Sequence, residues 1–180
     1  MEESEVKYRI DGPQALAVLR ERLAVLGAEY RGAAVETSVL FDTPDAQLRA
    51  TDRVLRLRWH DERRDAWLTY KGPARWEGAL KRREEHTVAV ADGPAMERIL
   101  TRLGFTPRQR YTRHRETWRY AGAEVALDTL EFGTYCEIEG PAPVITALAT
   151  ALGLSPTQAE PRPYPALAAE HARGQPPRSG

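Results

Sequence analysis

Cysteine is almost absent. Cys136 stands alone in 180 residues, so no internal disulfide can form, and a reducing, cytoplasmic setting is expected. Lysine is nearly as scarce: among 26 basic residues only Lys7, Lys71 and Lys81 are lysine. Net charge at neutral pH is zero, which argues against wholesale binding to nucleic acid or an anionic membrane, because both need a basic excess. No apolar run reaches the length of a membrane span, and no signal-peptide pattern opens the chain. His60, His86, His114 and His171 have no mutual spacing that suggests a zinc site or a catalytic triad. Phosphate-loop spacing is missing too, and Gly72-Pro73 reads as a turn. The length fits one domain, expected over residues 1–173, with a disordered tail over 174–180.

What is present is a recurring strand–turn–helix unit. A strand ends at Asp11-Gly12-Pro13, and a helix with Leu16, Leu19, Leu23 and Leu26 on one face follows, stopped by Gly27. The pattern returns at Asp92-Gly93-Pro94 with Met96, Ile99, Leu100 and Leu103, then Gly104. It returns again at Gly140-Pro141 with Val144, Leu148 and Leu152, then Gly153. Between these units lie strands over Thr37 to Phe41, Arg53 to Trp59, Ala66 to Lys71, Ala79 to Val90, Tyr111 to Tyr120 and Glu124 to Leu130, with a last one after Gly133. About eight strands and three or four helices make an α+β pattern dominated by antiparallel hairpins. A short helix is expected at Pro165 to Arg173.

Alternate residues of a strand share a face. Glu3, Glu5 and Lys7 therefore form one charged row, and Glu137 and Glu139 another. Arg56 and Arg58 oppose Leu55 and Leu57; Thr69 aligns with Lys71; Lys81, Arg83, Glu85 and Thr87 share a face, as do Arg113, Arg115 and Thr117. On a half-buried sheet such rows would be the solvated face. Several strands segregating carboxylates or cations in a neutral chain fit better with a closed barrel whose interior is polar. Uncompensated charges there would be prohibitively costly. A polyphosphate held by arginine and lysine, with Mg²⁺ or Mn²⁺ on carboxylate oxygens, uses both sets. Trp59, Trp67, Trp76 and Trp118 read as core or rim residues, His86 and His114 as outward, and Cys136 as outward beneath a helix.

Glu3-x-Glu5-x-Lys7 resembles the ExExK signature of the CYTH superfamily, the triphosphate tunnel metalloenzymes. Supporting matches run through Leu40-Phe41-Asp42-Thr43, Leu55-Arg56-Leu57-Arg58, Thr69-Tyr70-Lys71-Gly72-Pro73, Arg83-Glu84-Glu85, Arg113-His114-Arg115-Glu116, Leu127-Asp128, Glu137-Ile138-Glu139 and the tail around Tyr164 to Leu167. The resemblance implies an eight-stranded antiparallel closed β-barrel, the triphosphate tunnel, with flanking helices. It implies metal ligands at Glu3, Glu5, Asp128, Glu137 and Glu139 for two Mg²⁺ or Mn²⁺ ions. It also implies triphosphate-binding cations at Lys7, Arg56, Arg58, Lys71, Arg83, Arg113 and Arg115, and tunnel chemistry at Glu5, Glu85 and Glu139. There are departures: Thr87 stands where the family often has a second acid, and Phe132-Gly133 where Leu-Gly is usual.

The activity expected from this resemblance is metal-dependent hydrolysis of a triphosphate: tripolyphosphate, thiamine triphosphate or a nucleoside triphosphate. The alternatives are a class IV adenylate cyclase and a non-catalytic polyphosphate-binding module. The expected partner is a triphosphate-bearing small molecule, with no nucleic acid and no membrane; a homodimer is common in such folds.

Overall fold

The computed structural model describes residues 2–60 and 66–174, and for Glu2 and Glu3 the backbone alone. Apart from Gly174, the expected tail lies outside the described residues. Nine strands form one antiparallel sheet: β1 (Glu2–Ile10), β2 (Glu29–Asp42), β3 (Val54–His60), β4 (Ala66–Lys71), β5 (Arg75–Glu77), β6 (Leu80–Val90), β7 (Thr106–Tyr120), β8 (Ala123–Leu130) and β9 (Gly133–Glu139). Their order is β1-β9-β8-β7-β2-β3-β4-β6-β5, and β1 also pairs with β6. Eight strands therefore close into a barrel, and β5 is an extra strand hung on β6. This is the expected α+β architecture.

The outer face of the barrel is apolar and carries the helices. Val6, Tyr8 and Ile10 of β1, Val125 and Leu127 of β8, and Cys136 and Ile138 of β9 are buried beneath α1 (Gly12–Val25) and α4 (Ala142–Ala151). Cys136 is fully buried in this layer, and burial pushes its thiol pKa up. Around the barrel, α3 (Gly93–Arg102) sets Leu100 and Met96 against Val39, Phe41 and Leu57. Its Ile99 and Leu103, expected on the buried face, are exposed. Gly27, Gly104 and Gly153 take positive φ just past their helices, the conformation a helix stop needs. A short helix α2 (Gln47–Ala50) is held by Asp42, which accepts from the backbone N–H groups of Leu48 and Arg49.

One end of the barrel is filled from the C-terminal segment. Helix α5 (Tyr164–Gly174) inserts Tyr164 and Leu167 among the inward residues Tyr111, Leu130 and Tyr135. Ahead of it a strap continues the wall. Glu160 N–H donates to the Lys7 carbonyl at 2.8 Å, and Ala159 bridges Tyr8. None of the described helices is long and apolar enough to cross a membrane.

Candidate active site

Register fixes which side chains meet inside. Opposed residues of an antiparallel pair project to the same face. Lys7 lies opposite Glu137 and Glu5 opposite Glu139; on the other flank of β1, Glu5 lies opposite Lys81 and Glu3 opposite Arg83. Arg115 lies opposite Asp128, Arg113 opposite Glu36, Arg58 opposite Ser38, and Lys71 opposite Glu85.

The deepest group is a two-sign network. Arg115 donates to both oxygens of Asp128, at 2.7 and 2.5 Å, and also to Glu137. Arg113 reaches Asp128 at 3.2 Å and Glu137 at 3.7 Å while holding Glu36 at 2.8 Å. Tyr164 donates to Asp128 at 2.7 Å, so the plugging helix joins the network. Burial alone would raise the carboxyl of Glu137, but Arg115, Lys7 and Arg113 outweigh it and hold that group well below the usual range. Glu36 behaves alike: burial opposes its charge, yet Arg113, Arg58 and Arg115 bring its pKa to about 2.

A second group lines β1, β4 and β6. Lys81 binds Glu5 at 2.7 Å, and Lys71 binds Glu85, whose nearest Arg56 nitrogen is 3.9 Å away. Glu139 differs from the other acids. Burial raises its pKa, and the charge of Glu5 raises it further. Thr87, where an acid is usual, bonds to Thr69 at 3.1 Å and to Glu85 at 3.3 Å. Lys7 sits 4.5 Å from the Tyr164 ring centroid and donates to the Arg162 carbonyl. Burial lowers its pKa despite Glu137 and Glu5.

The cations are unevenly engaged. Arg58 is brought to about 9 by burial and by Arg113 and Arg56 beside it. Nε of Arg56 is buried with no hydrogen-bond partner. Arg83 instead donates to the carbonyls of Gly72 and Asp52, tying together the turns after β4 and before β3.

Of the residues expected at the site, Lys7, Arg56, Arg58, Lys71, Arg113 and Arg115 thus meet Glu5, Glu85, Asp128, Glu137 and Glu139 inside the barrel. Arg83 is committed to backbone. Glu3 is placed by register alone, its side chain being outside the described residues. Among the described residues, no three His, Cys, Asp or Glu side chains converge as a ready-made metal cage. Two further residues join the site: Glu36, which the sequence pattern left outside a strand, and Lys81, placed on the charged face but without a role. Glu36 shares a parity with Ser38 opposite Arg58, a signal hidden by starting that strand at Thr37. Lys81, the third of the rare lysines, shares the face of Arg83 and Glu85 and pairs with Glu5.

Two cavities open onto this interior. One of about 480 Å³ lies where β2 runs past β3, lined by Gly32, Ala34, Glu36, His60, Arg115 and Thr117. The other, about 280 Å³, is bounded by Glu5, Lys7 and Lys81 on its inner side.

Residues 1–152 match the family model of the CYTH domain. The chain belongs to the CYTH family. This CYTH domain is 31% identical over 140 residues to "Putative adenylate cyclase MJ0240" of Methanocaldococcus jannaschii, covering 77% of each chain. Among solved structures, the PH1819 protein of Pyrococcus horikoshii OT3 superposes with a TM-score of 0.76 at 25% identity, covering 94% of this chain and 99% of that one. HpAC1 of Hippeastrum, described as having a dominant triphosphatase activity, gives a TM-score of 0.69 at 17% identity, covering 97% and 98%. At that identity the likeness is one of fold.

Proposed function

We propose that this CYTH domain is a divalent-metal-dependent triphosphate hydrolase. The observation that carries the reading is the closed, charge-walled interior, in which Glu5 and Glu139 face each other beside rows of arginine and lysine. Arg56, Arg58, Lys71, Arg113 and Arg115 orient the triphosphate and offset charge that develops on its oxygens. Arg56, with its buried Nε lacking a partner, is the cation readiest to take a phosphate oxygen.

The donor set fits Mg²⁺ or Mn²⁺. It consists of carboxylate oxygens, and the mutual repulsion that raises Glu139 beside Glu5 is relieved by a divalent cation. Glu5 and Glu139, with Glu3 and Glu137 on the same rows, would hold it, whereas both oxygens of Asp128 already accept from Arg115 and one also from Tyr164. When bound it supplies Lewis-acid polarisation of phosphate oxygens. Glu5 or Glu139 positions the attacking water and takes its proton, and Glu85, paired with Lys71, holds the surrounding charge. Phosphoryl transfer needs positioning more than a nucleophilic side chain.

The adenylate cyclase named for the Methanocaldococcus relative is the second reading, with the ribose 3′-hydroxyl of ATP replacing water. A product assay on tripolyphosphate, thiamine triphosphate and ATP with each metal separates the two. Orthophosphate supports hydrolysis; pyrophosphate with cyclic AMP supports the cyclase. Tight binding with no turnover under either metal would leave a polyphosphate-binding module.

A further inference from the structure

Ser38 is a polar residue buried completely in the charged interior. On one flank its register partner is Arg58 of β3 and on the other Tyr111 of β7, so all three project inward side by side. Its Oγ accepts from Arg58 Nε at 2.9 Å, while a Glu36 oxygen stands 3.6 Å from the same nitrogen. Burial would raise the Tyr111 phenol, but Arg58, Arg56 and Arg113, with a hydrogen bond from Ser38, hold it below its usual value.

The arginines are tied in different ways. Arg115 spends Nε and Nη2 on Asp128 and Glu137, and Arg113 spends Nε, Nη1 and Nη2 on Glu36 and Asp128. Among the described residues, the close polar contacts of Arg58 run through Nε, which leaves its two terminal nitrogens to grip oxygens of one phosphate. Such a fork has to be aimed, because Arg113 and Arg56 beside it repel it.

We propose that Ser38 is a positioning residue whose hydroxyl aims the Arg58 fork at the triphosphate. The inference rests on the triphosphate reading above and adds the group that sets one of its cations. A hydroxyl suits the task better than a carboxylate. It accepts from Nε without neutralising the guanidinium, so the positive charge is kept for phosphate. Without it the alternative acceptor is Glu36, an acid that Arg113 already holds. The guanidinium would turn towards that acid and be withdrawn from the substrate.

The test uses wild type, Ser38→Ala, Ser38→Thr, Arg58→Ala and the double variant with alanine at both positions. It measures KM for tripolyphosphate with Mg²⁺ or Mn²⁺, and calorimetric affinity for tripolyphosphate in EDTA, where metal-dependent turnover does not intrude. Ser38→Ala should raise KM and weaken binding about tenfold, the size of one hydrogen bond to a charged group. Ser38→Thr keeps the hydroxyl and should recover most of that loss. In the Arg58→Ala background, Ser38→Ala should change neither quantity, because no fork is left to aim. A loss of equal size in that background would make Ser38 a support of the fold alone and overturn the proposal. So would wild-type KM and affinity in Ser38→Ala beside a weakened Arg58→Ala. An Arg58→Ala variant that behaves as wild type would remove Arg58 from substrate binding and this inference with it. A wild type that neither binds nor turns over tripolyphosphate would bring down the triphosphate reading itself.

Discussion

Arg115 serves Asp128 and Glu137 at once, while Arg113 spans Glu36, Asp128 and Glu137. Removing one acid therefore exposes a specific cation rather than a diffuse field. Glu137→Gln leaves Arg115 its two bonds to Asp128, so the fold should survive while turnover falls on the order of 10²-fold or more. Initial rates with Mg²⁺ or Mn²⁺, alongside thermal unfolding, check this; unchanged rates would count against the metal-ligand role. Arg56→Ala should raise KM for tripolyphosphate with little loss of stability, since among the described side chains the acid that Arg56 approaches is Glu85, at 3.9 Å.

Glu36 is the stabilising counterpart. Its folded pKa is depressed from 4.5 to about 2, so its contribution is complete above 4.5 and is lost as pH falls towards 2. The shift corresponds to about 3 kcal/mol at neutral pH. Glu36→Gln should cost about that much in urea unfolding at pH 7 and flatten the acid limb of stability between those two pH values. Unaltered acid sensitivity in the variant would remove Glu36 from this role. The facing of most interior residues was legible because alternation alone decides it: Arg56 with Arg58, and Glu137 with Glu139. Arg83 had the right parity, but two backbone carbonyls near it, brought in by turns far away in sequence, claim its guanidinium.

At the scale of elements, strand lengths were the least legible feature. The start of β2, Glu29 to Glu36, includes Gly32, Ala33 and Ala34, and its register with β7 shifts between Tyr30 and Gly32. Such a stretch has neither clean alternation nor strong β-formers, and only pairing with β7 makes it a strand. That missing half-strand is why Glu36 went unseen. The hairpin of β5 was hidden for a similar reason, since Arg75-Trp76-Glu77 is too short to show a period. Helix α5 was visible, but not its role as a plug, which depends on Tyr111, Leu130 and Tyr135 being aromatic or apolar at one end of an otherwise charged interior. Leu167→Ala should cost about 2–4 kcal/mol by opening a void in that plug. Chemical denaturation measures it, and a loss below about 1 kcal/mol would mean that the end of the barrel holds without α5.

At the scale of the molecule, the barrel is sealed unequally. β1 and β6 share four register pairs, Glu2 to Glu5 against Lys81 to Glu84, whereas β2 and β7 pair from Glu29 to Asp42. Hydrogen exchange should therefore be fastest along the β1–β6 seam and slowest between β2 and β7. Equal protection at the two seams would contradict this order of strengths. Past Glu5, where β6 parts from β1, residues 159 and 160 take over the neighbouring position. The earliest residues of the chain thus find their lateral partners only among residues from 81 onward, and the last of them near position 160. During synthesis β1 can meet β6 once residues 81–84 are made, but its other edge, which sets Lys7 opposite Glu137, stays unpaired until β9 follows. The charged interior therefore cannot close before β9 and the strap near residue 160 exist.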